Sequence, residues 1–490
     1  MKKYCIGIDV GTTAIKGVLA DENMKAIARA RREHGQSYPE PGFSEQDPEE
    51  LCASALAIIK SLLENAGIGM GDVSAIGIDH QGETCLIWDR RTGKPVYPAI
   101  TWQDRRASAE AKELRELCGE RIQAVTGLMP DSYYSALKLR WILDHTADGR
   151  RRAQSGELLA GTLNTYILWK LSGKRIFATD VCSAGCTMLF DPRENEWSHW
   201  LLELMDIPRT MLPDILPCDA LFGHTDGDIA GGCAPIWATL PDSNAGMAGI
   251  GAARPGFITT TYGTGNFMHL VTGEAFAAPA DGLTASCCLA LRAKRLYQLN
   301  GICYTAGSAV KWLKDGLNML EDESVSSEIA CGVPDSNGVF FVPALSGLAT
   351  PYWNETARGA ILGLTAGVNS AHIVRAVLES IAAQVATVYE RMKNACASPV
   401  QSMFALGGMT ANAFLMQYQA DLMGLPLVIP SETEPAFGAA RMAMASALGL
   451  AGPDELETGV SISKIYEPSK GEDWRKERLE EWNSAVARCL

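Results

Sequence analysis

The alternation of apolar and polar positions divides the first eighty residues into strands and one helix. Apolar runs between turn residues predict strands over Tyr4 to Ile8, Lys16 to Leu19 and Ala26 to Arg31. Apolar residues then recur every three or four positions from Pro48 to Ala66, which predicts an amphipathic helix. A buried-strand pattern follows from Val73 to Ile78. Because strands and helices continue to alternate along the chain, we predict an α/β fold.

A second hairpin pattern begins past the middle of the chain. Strands are predicted around Phe257 to Tyr262 and Phe267 to Thr272, on either side of a glycine-rich turn that resembles the turn after the first strand. Heptad-like spacing of apolar residues predicts a long amphipathic helix from Ala371 to Met392, and a strand is predicted from Met403 to Leu406. This weak repeat favours two related halves.

The length of 490 residues exceeds what one hydrophobic core usually supports, because single domains seldom grow beyond about 250 to 300 residues. We therefore predict two domains, over residues 1–246 and 247–490, with a cleft between them. The boundary is placed directly after Asp242–Gly246, where several small residues could serve as a hinge.

Composition narrows the function classes. The formal net charge of −14 argues against a protein that binds the phosphate backbone of nucleic acids, since such proteins carry clustered Lys and Arg. The fourteen cysteines form no CxxC pair, which favours reduced thiols and a cytoplasmic protein. No apolar run approaches the roughly 18 to 20 residues of a membrane helix, so membrane insertion is not expected.

The first glycine-threonine turn has the composition of a phosphate-binding loop. Gly11 lets backbone N–H groups approach phosphate oxygens closely, and the hydroxyls of Thr12 and Thr13 add donors. Asp9, at the end of the preceding strand, could orient Mg²⁺ through its water shell, and Lys16 adds positive charge. The alternative, that this is only a tight hairpin turn, stays open for the turn taken alone.

Two further turns fit the same nucleotide. Gly263, Thr264 and Gly265 could hold the phosphates from the opposite side. Gly408 follows a strand and precedes a helix, where an adenine can lie close to the backbone and Asn412 can donate to it. Asn412 also fits a plain helix N-cap.

Several longer segments resemble the FGGY carbohydrate kinases, and most closely the glycerol-kinase-like branch of that family. They are Gly7 to Thr13, Thr101 to Arg106, Tyr133 to His145, Gly161 to Leu171, Thr261 to Gly265, Pro343 to Leu348, Gly363 to Thr365 and His372 to Glu379. The resemblance covers nearly the whole chain. It implies two ribonuclease-H-like domains of the actin-like ATPase superfamily, magnesium-ATP in a catalytic cleft between them, and phosphoryl transfer to a hydroxyl of a small sugar or polyol.

The resemblance also implies which domain binds which ligand. Residues 1–246 would mainly bind the substrate, and residues 247–490 would mainly bind ATP, with Gly307 among the ATP-binding residues. A homodimer or homotetramer is expected.

The resemblance assigns Asp242 as the catalytic base and as a second residue near Mg²⁺. A carboxylate within hydrogen-bond distance of the attacking hydroxyl suffices, because phosphoryl transfer needs alignment and charge neutralisation more than strong basicity. A small polyol also needs a carboxylate for its hydroxyls and an aromatic face for its C–H side. The substrate-binding residues implied in this way are Gln81, Glu83, Trp102, Tyr133, Asp242 and Ser243.

Two positions depart from the glycerol-kinase pattern. Gly82 stands where those enzymes carry Arg, and Ser243 stands where they carry Gln. Both changes remove bulk and hydrogen-bonding groups, so the expected substrate is longer than glycerol, such as a tetritol or a ketopentose. A ketopentose kinase of the xylulokinase or ribulokinase type is the alternative. A non-catalytic sensor of sugar and nucleotide is an alternative of another class, and retention of Asp242 argues against it.

Overall fold

The computed structural model describes residues 3–228, 232–354, 356–393, 399–456 and 460–490. The chain divides into two compact units. Unit 1 contains Met1–Ala253, Ser286–Tyr297 and Glu432–Val460, and unit 2 contains Arg254–Ala285, Gln298–Ser431 and Ser461–Leu490. Each unit is therefore assembled from segments that are distant in sequence. The predicted division of roles between residues 1–246 and 247–490 stays a prediction.

Strands and helices alternate through the described residues. The strands are β1 Tyr4–Val10, β2 Ala14–Asp21, β3 Ala26–Glu33, β4 Glu45–Gln46, β5 Val73–His80, β6 Cys85–Asp89, β7 Ala99–Ile100, β8 Leu158–Thr162, β9 Ala178–Asp180, β10 Phe190–Asp191, β11 Glu196–Trp197, β12 Asp214–Leu216, β13 Gly223–His224, β14 Pro235–Pro241, β15 Phe257–Tyr262, β16 Asn266–Gly273, β17 Thr284–Ala290, β18 Arg295–Cys303, β19 Phe340–Val342, β20 Ala360–Leu362, β21 Ser402–Leu406, β22 Leu427–Pro430 and β23 Ile462–Tyr466. The α-helices are α1 Pro48–Ala66, α2 Ser108–Thr126, α3 Ser135–His145, α4 Gly149–Gln154, α5 Leu163–Leu171, α6 Val181–Gly185, α7 His199–Met205, α8 Asp242–Gly249, α9 Gly307–Asp315, α10 Ser326–Cys331, α11 Ser370–Met392, α12 Ala413–Met423, α13 Pro435–Ala447 and α14 Glu472–Val486.

The main sheet of unit 1 has the strand order β13-β14-β5-β1-β2-β3. Strands β1, β5 and β14 run parallel to one another, while β2 and β3 continue the sheet as an antiparallel hairpin. The predicted strands and the helix α1 in this region are confirmed. Helix α1 has the sequence features that start and end a helix: Asp47 caps its N-terminus, and Gly67 ends it in the left-handed conformation with φ of 65°.

Helices cover both faces of this sheet. Ile58 and Leu62 of α1 contact Gly17 of β2 on one face. On the other face, a Cβ added at Gly7 would lie 1.7 Å from the Ala436 carbonyl oxygen, and one at Gly77 would lie 2.1 Å from that of Ala439. Helix α13 therefore lies directly on β1 and β5 at positions where only glycine fits. A segment near the end of the chain completes the unit that the first residues begin.

The small residues that suggested a hinge at 242–246 belong to helix α8. Ala245 and Gly246 are buried there. A Cβ at Gly438 of α13 would lie 1.9 Å from the Ala245 carbonyl oxygen, so α8 and α13 cross at close range. The small residues thus permit close helix packing, which a sequence pattern does not distinguish from a flexible linker.

The second large sheet has the strand order β17-β18-β16-β15-β21-β22-β23. Strand β15 forms a hairpin with β16 and pairs in parallel with β21, as β1 pairs with β2 and β5. The predicted repeat of hairpins is therefore present in the topology. Helix α11 packs in the core of unit 2, and its central residues are buried on every side rather than along one stripe.

Helix α11 is also long and apolar enough to cross a membrane by length and composition alone. However, 67% of its most apolar window is buried within the protein. Its apolar residues are thus used in packing, as in the central helix of a folded core.

Candidate active site

Three carboxylates meet at one edge of the unit 1 sheet. Asp9 of β1 pairs with Asp79 of β5 in the parallel register, and β14 ends beside them so that Asp242 follows directly. The carboxyl ends of parallel strands lie at the same sheet edge, which is where α/β proteins commonly bind ligands. The predicted residues Asp9 and Asp242 are thus close together, and Asp79 joins them.

Burial raises the pKa values of all three carboxyls, and repulsion from Asp9 adds to the rise at Asp79 and Asp242. The pKa of Asp242 rises to about 7, chiefly because of burial and then because of the Asp9 carboxylate. The backbone N–H of Ser243 opposes this rise by donating to Asp242 Oδ1 at 2.6 Å. The pKa of Asp79 lies well above its usual range for the same two reasons. With all three carboxyls ionised, the cluster would hold more negative charge than its surroundings compensate.

The cluster fits a divalent cation. Lys16 lies opposite Asp9 in the hairpin, and its Nζ approaches Asp9 Oδ2 at 3.4 Å. Both carboxylate oxygens of Asp79 are buried, and apart from the neighbouring Asp9 carboxyl no group of the described residues bonds them. Oxygen ligands of this kind suit Mg²⁺, which keeps part of its water shell. Asp9, Asp79 and Asp242 are the residues that would hold it, and Mg²⁺ would neutralise phosphate charge there.

Asp79 was missed in the sequence, although a signal was present. The tripeptide Gly7-Ile8-Asp9 is repeated as Gly77-Ile78-Asp79. The two tripeptides lie side by side in the sheet, residue by residue. A search for repeats at strand ends would have found it.

The backbone of the turn from Gly11 to Thr13 is held by side chains from other segments. Its carbonyl oxygens accept hydrogen bonds from His34, Gln81 and Gln46, with Gln46 Nε2 at 2.7 Å from the Thr12 oxygen. The N–H groups of the turn donate to no group of the described residues. Fixed carbonyls and free N–H groups are the arrangement that binds phosphate oxygens.

The indole of Trp102 connects this turn to a second part of the site. Its Nε1 donates to Thr12 Oγ1 at 2.9 Å. Its ring meets that of Tyr133 edge-on, with 6.1 Å between centroids. We call the predicted substrate residues Glu83, Trp102 and Tyr133 the polyol wall. The predicted nucleotide turn and the polyol wall are therefore neighbours in unit 1.

Glu83 is the carboxylate of this wall. Burial raises its pKa, while the Tyr133 hydroxyl and the Cys186 thiol, which both hydrogen-bond to it, and the Lys138 charge lower it. Lys138 is itself buried, and its Nζ donates to the Tyr133 carbonyl oxygen at 2.7 Å. Lys138 lies within the family-like segment from Tyr133 to His145, but the resemblance did not single it out. A lysine among the apolar residues of a helix was the signal for its structural role.

The remaining predicted substrate residues lie in the same region. Gln81 donates to Gln46 Oε1 at 2.7 Å, and its own Oε1 is buried with no partner among the described residues. A Cβ added at Gly82 would lie 3.3 Å from Cys186 Sγ and 3.8 Å from Pro241 Cβ. Gly82 is therefore beside the start of α8, which carries Asp242, and Cys186 already occupies part of the adjacent space.

In unit 2 the second glycine-threonine turn packs on the start of α9. The N–H of Gly307 donates to the Gly263 carbonyl oxygen, and that of Ser308 to Thr264, at 2.9 and 3.1 Å. A Cβ at Gly307 would lie 2.6 Å from the Gly263 oxygen, and one at Gly265 would lie 2.6 Å from the Cys303 oxygen. Glycine is needed at both positions for this close approach, which places four of the predicted ATP-binding residues together.

In the third predicted turn, one residue is open to a ligand and another has a structural role. No heavy atom lies within 4 Å of a Cβ built at Gly408, so the backbone there is open to a ligand. Asn412 caps α12 by accepting from the Leu415 N–H at 2.9 Å, and its amide donates to Ser326 at 3.1 Å. Asn412 is thus the helix N-cap that the sequence also allowed. Its role toward ATP, like the role of each residue above, stays a prediction.

Two family models match the chain and cover most of it. Residues 4–249 match the N-terminal domain of the FGGY family of carbohydrate kinases, and residues 258–447 match its C-terminal domain. Among curated proteins, the chain is 40% identical to glycerol kinase 2 of Thermotoga maritima over 490 residues, covering 100% of this chain and 99% of that protein. It is 39% identical to a glycerol kinase of Caldanaerobacter subterraneus, with the same coverage of both chains.

Solved structures of other kinases resemble this chain over nearly its whole length. The crystal structure of Plasmodium falciparum glycerol kinase with ADP matches with a TM-score of 0.92 and 29% identity, over 99% of this chain and 98% of that one. A xylulose kinase from Lactobacillus acidophilus matches with a TM-score of 0.88 at 21% identity and 98% of its length, over 99% of this chain, which shows the shared fold.

These matches confirm the predicted fold class, with two domains of the actin-like ATPase type. They also confirm the predicted enzyme class, a phosphotransferase that uses ATP with Mg²⁺ and acts on an alcohol group of a sugar or polyol. The carboxylate cluster, the free N–H groups of the first turn and the polyol wall are the chemistry such an enzyme needs. The chain belongs to the FGGY family of carbohydrate kinases.

Proposed function

We propose that this kinase phosphorylates a polyol or ketose of four or five carbons in preference to glycerol. The observation that carries the proposal is the wall beside Glu83. The resemblance predicts Arg at position 82, yet Gly82 faces the Cys186 thiol, which hydrogen-bonds to Glu83. A neutral thiol replaces a charged donor there, and Ser243 is shorter than the predicted Gln.

The same arrangement supports a role for each residue. Asp242 accepts the proton of the attacking hydroxyl, since its pKa of about 7 suits a general base near neutral pH. Glu83 and the free Oε1 of Gln81 accept from other hydroxyls, and the Trp102 and Tyr133 rings cover the C–H face. A substrate with more hydroxyls than glycerol would reach the space that a Gln at position 243 would fill.

The first prediction concerns substrate preference. Glycerol, tetritols, pentitols, xylulose and ribulose are compared in a coupled assay of ADP release. We expect a four- or five-carbon substrate to give a kcat/KM at least tenfold above that of glycerol, because one added hydrogen-bonding group in a fitted site discriminates by roughly that factor or more. The highest kcat/KM for glycerol would contradict the proposal.

A matched variant sharpens this test. Gly82→Arg combined with Ser243→Gln restores the predicted glycerol-kinase residues, and we expect it to shift the preference toward glycerol. The KM for ATP serves as the control, since the ATP turns are unchanged. If a ketopentose is the best substrate, the enzyme is of the xylulokinase type. If longer polyols are the best substrates, it is a glycerol-kinase-like enzyme that accepts longer polyols.

Membership of a kinase family argues against the non-catalytic sensor alternative. Two coarser expectations accompany this proposal. A cytoplasmic location and a homodimer or homotetramer remain proposals, and sedimentation of the purified protein would measure the assembly.

A further inference from the structure

A group of thiols in unit 1 lies outside the machinery described above. Asp180, Cys182 and Cys218 each offer a ligand atom, and these atoms lie within 4.8 Å of one another. The Cys287 thiol hydrogen-bonds to Cys182 and lies beside this group. We propose that Asp180, Cys182 and Cys218 form a binding site for a thiophilic divalent cation of the zinc class, with Cys287 as the candidate fourth ligand.

Two distances within the group of three are close to those of a tetrahedral site. With Zn–S bonds of about 2.3 Å and Zn–O bonds of about 2.0 Å, tetrahedral geometry separates two sulfurs by about 3.8 Å and a sulfur from an oxygen by about 3.5 Å. Cys218 Sγ lies 3.5 Å from Cys182 Sγ and 3.5 Å from Asp180 Oδ1. Small side-chain movements would therefore suffice to admit the ion.

The surroundings also suit a cation. All four side chains are at least nine-tenths buried. Asp180 has neutral hydrogen-bond partners, namely Asn164, Ser183 and the Cys218 thiol. A metal ion that displaces the protons of the neighbouring thiols would supply a countercharge to this buried carboxyl, whose partners are otherwise neutral.

The ligands of this site are dispersed along the chain, so no local sequence pattern indicates it. Asp180 and Cys182 lie at the start of α6, Cys218 follows β12, and Cys287 lies within β17. These positions form neither a CxxC pair nor any other spacing typical of a zinc finger.

The site has a structural connection to the polyol wall. Ser183, next to Cys182, donates to Asp180 and bonds His80 Nε2 at 2.8 Å, and His80 precedes Gln81. Cys186, which binds Glu83, caps the other end of α6. A bound ion would therefore fix the helix that carries one wall of the substrate pocket.

Cobalt is the probe for this site. The reduced, chelator-treated full-length protein is incubated anaerobically with Co²⁺, and sulfur-to-cobalt charge-transfer absorption in the near ultraviolet is titrated. We expect one equivalent to bind with this band, and Cys218→Ser to weaken binding at least tenfold. Cys52→Ser is the matched control, because Cys52 is a buried thiol of the same unit outside the group, and it should leave the band unchanged.

X-ray absorption of the zinc-loaded wild-type protein tests the proposal without any substitution. We expect sulfur neighbours at about 2.3 Å from the metal. A shell of oxygen or nitrogen alone would overturn the proposal, as would a charge-transfer band that is identical in Cys218→Ser. Metal-free protein could also oxidise, with a disulfide between Cys182 and Cys218. If this protein, once reduced again, failed to bind Co²⁺, the proposal would likewise be overturned.

Discussion

At the scale of single residues, the carboxylate cluster shows how position alters chemistry. Asp9, Asp79 and Asp242 are ordinary aspartates in sequence, yet burial raises all three pKa values, and repulsion from Asp9 raises those of Asp79 and Asp242 further. The cost of keeping them charged is offset when Mg²⁺ and ATP are bound, because the metal supplies the missing positive charge. The site is therefore less stable empty than occupied.

The second prediction concerns Asp242→Asn. We expect a loss of roughly 10² to 10⁴ in kcat, because a positioned general base contributes about that factor, with little change in substrate KM. The measurement is substrate-stimulated ADP release, with Asp206→Asn at an exposed helix end as the control. Unchanged kcat would remove Asp242 from catalysis.

The dependence of the free energy of unfolding on pH tests whether this variant is folded. The raised pKa of Asp242 means that the folded protein holds its proton more tightly than the unfolded chain, so stability falls as pH rises from about 4 to about 7. Asparagine removes that loss. In buffer without Mg²⁺ and ATP, Asp242→Asn should raise the free energy of unfolding by roughly 1 to 2 kcal/mol at pH 8 and by much less at pH 4.

Substrate residues show the limit of reasoning at this scale. Glu83, Trp102 and Tyr133 were identified through the family resemblance, and the structure brings them together in one wall. Lys138 and Cys186 were not identified as part of it. Their contribution depends on which side chains the folded backbone places next to Glu83, and no local pattern contains that information.

At the scale of elements, glycines decide how turns meet helices. The turn at Gly263–Gly265 is docked on α9 through a contact that a Cβ at Gly307 would break, at 2.6 Å from the Gly263 oxygen. In the first hairpin, by contrast, side chains from other segments hold the carbonyls of the turn. The two turns share a composition but are supported differently.

The third prediction tests the second turn. Gly307→Ala should displace the turn, raising the KM for ATP at least tenfold while the KM for the carbohydrate changes little. We expect a stability cost of roughly 1 to 3 kcal/mol, as is usual for overpacking. Steady-state kinetics with each substrate varied and thermal unfolding provide the measurements.

Gly471→Ala is the control for this variant, because no heavy atom lies within 4 Å of a Cβ there. It should leave both KM values unchanged. An equal rise in both KM values for Gly307→Ala would indicate general loss of structure, and an unchanged KM for ATP would exclude the turn from phosphate binding.

At the scale of the whole molecule, unit 1 depends on residues from the end of the chain. Helix α13 covers the strands that begin the fold, and Gly7 and Gly77 allow its backbone to rest on theirs. Without α13, one apolar face of β1 and β5 would be exposed to water, at about 25 cal/mol for each Å² of apolar surface.

The fourth prediction follows from that dependence. A fragment of residues 1–253, produced alone, should not unfold cooperatively, whereas the full-length protein should. Circular dichroism during thermal unfolding and hydrogen exchange of the β1 and β5 amides measure this difference. Protected amides and a sharp transition in the fragment would show that α13 is dispensable.

The sequence alone determined the elements and the family. Periodicity placed α1 with its observed bounds and β15 likewise, because burial of an apolar face and capping residues such as Asp47 are local properties. Ordered motifs along the chain predicted the fold class and the kinase chemistry, both of which the comparisons confirm.

Only the tertiary structure decided which distant residues meet. It paired Asp79 with Asp9, laid α13 across strands more than 350 residues earlier in the chain, and gathered the thiols of Cys182, Cys218 and Cys287. These contacts depend on strand register and on helix approach distances measured in tenths of an ångström. Such quantities arise from packing of the whole chain, so a local sequence pattern does not contain them.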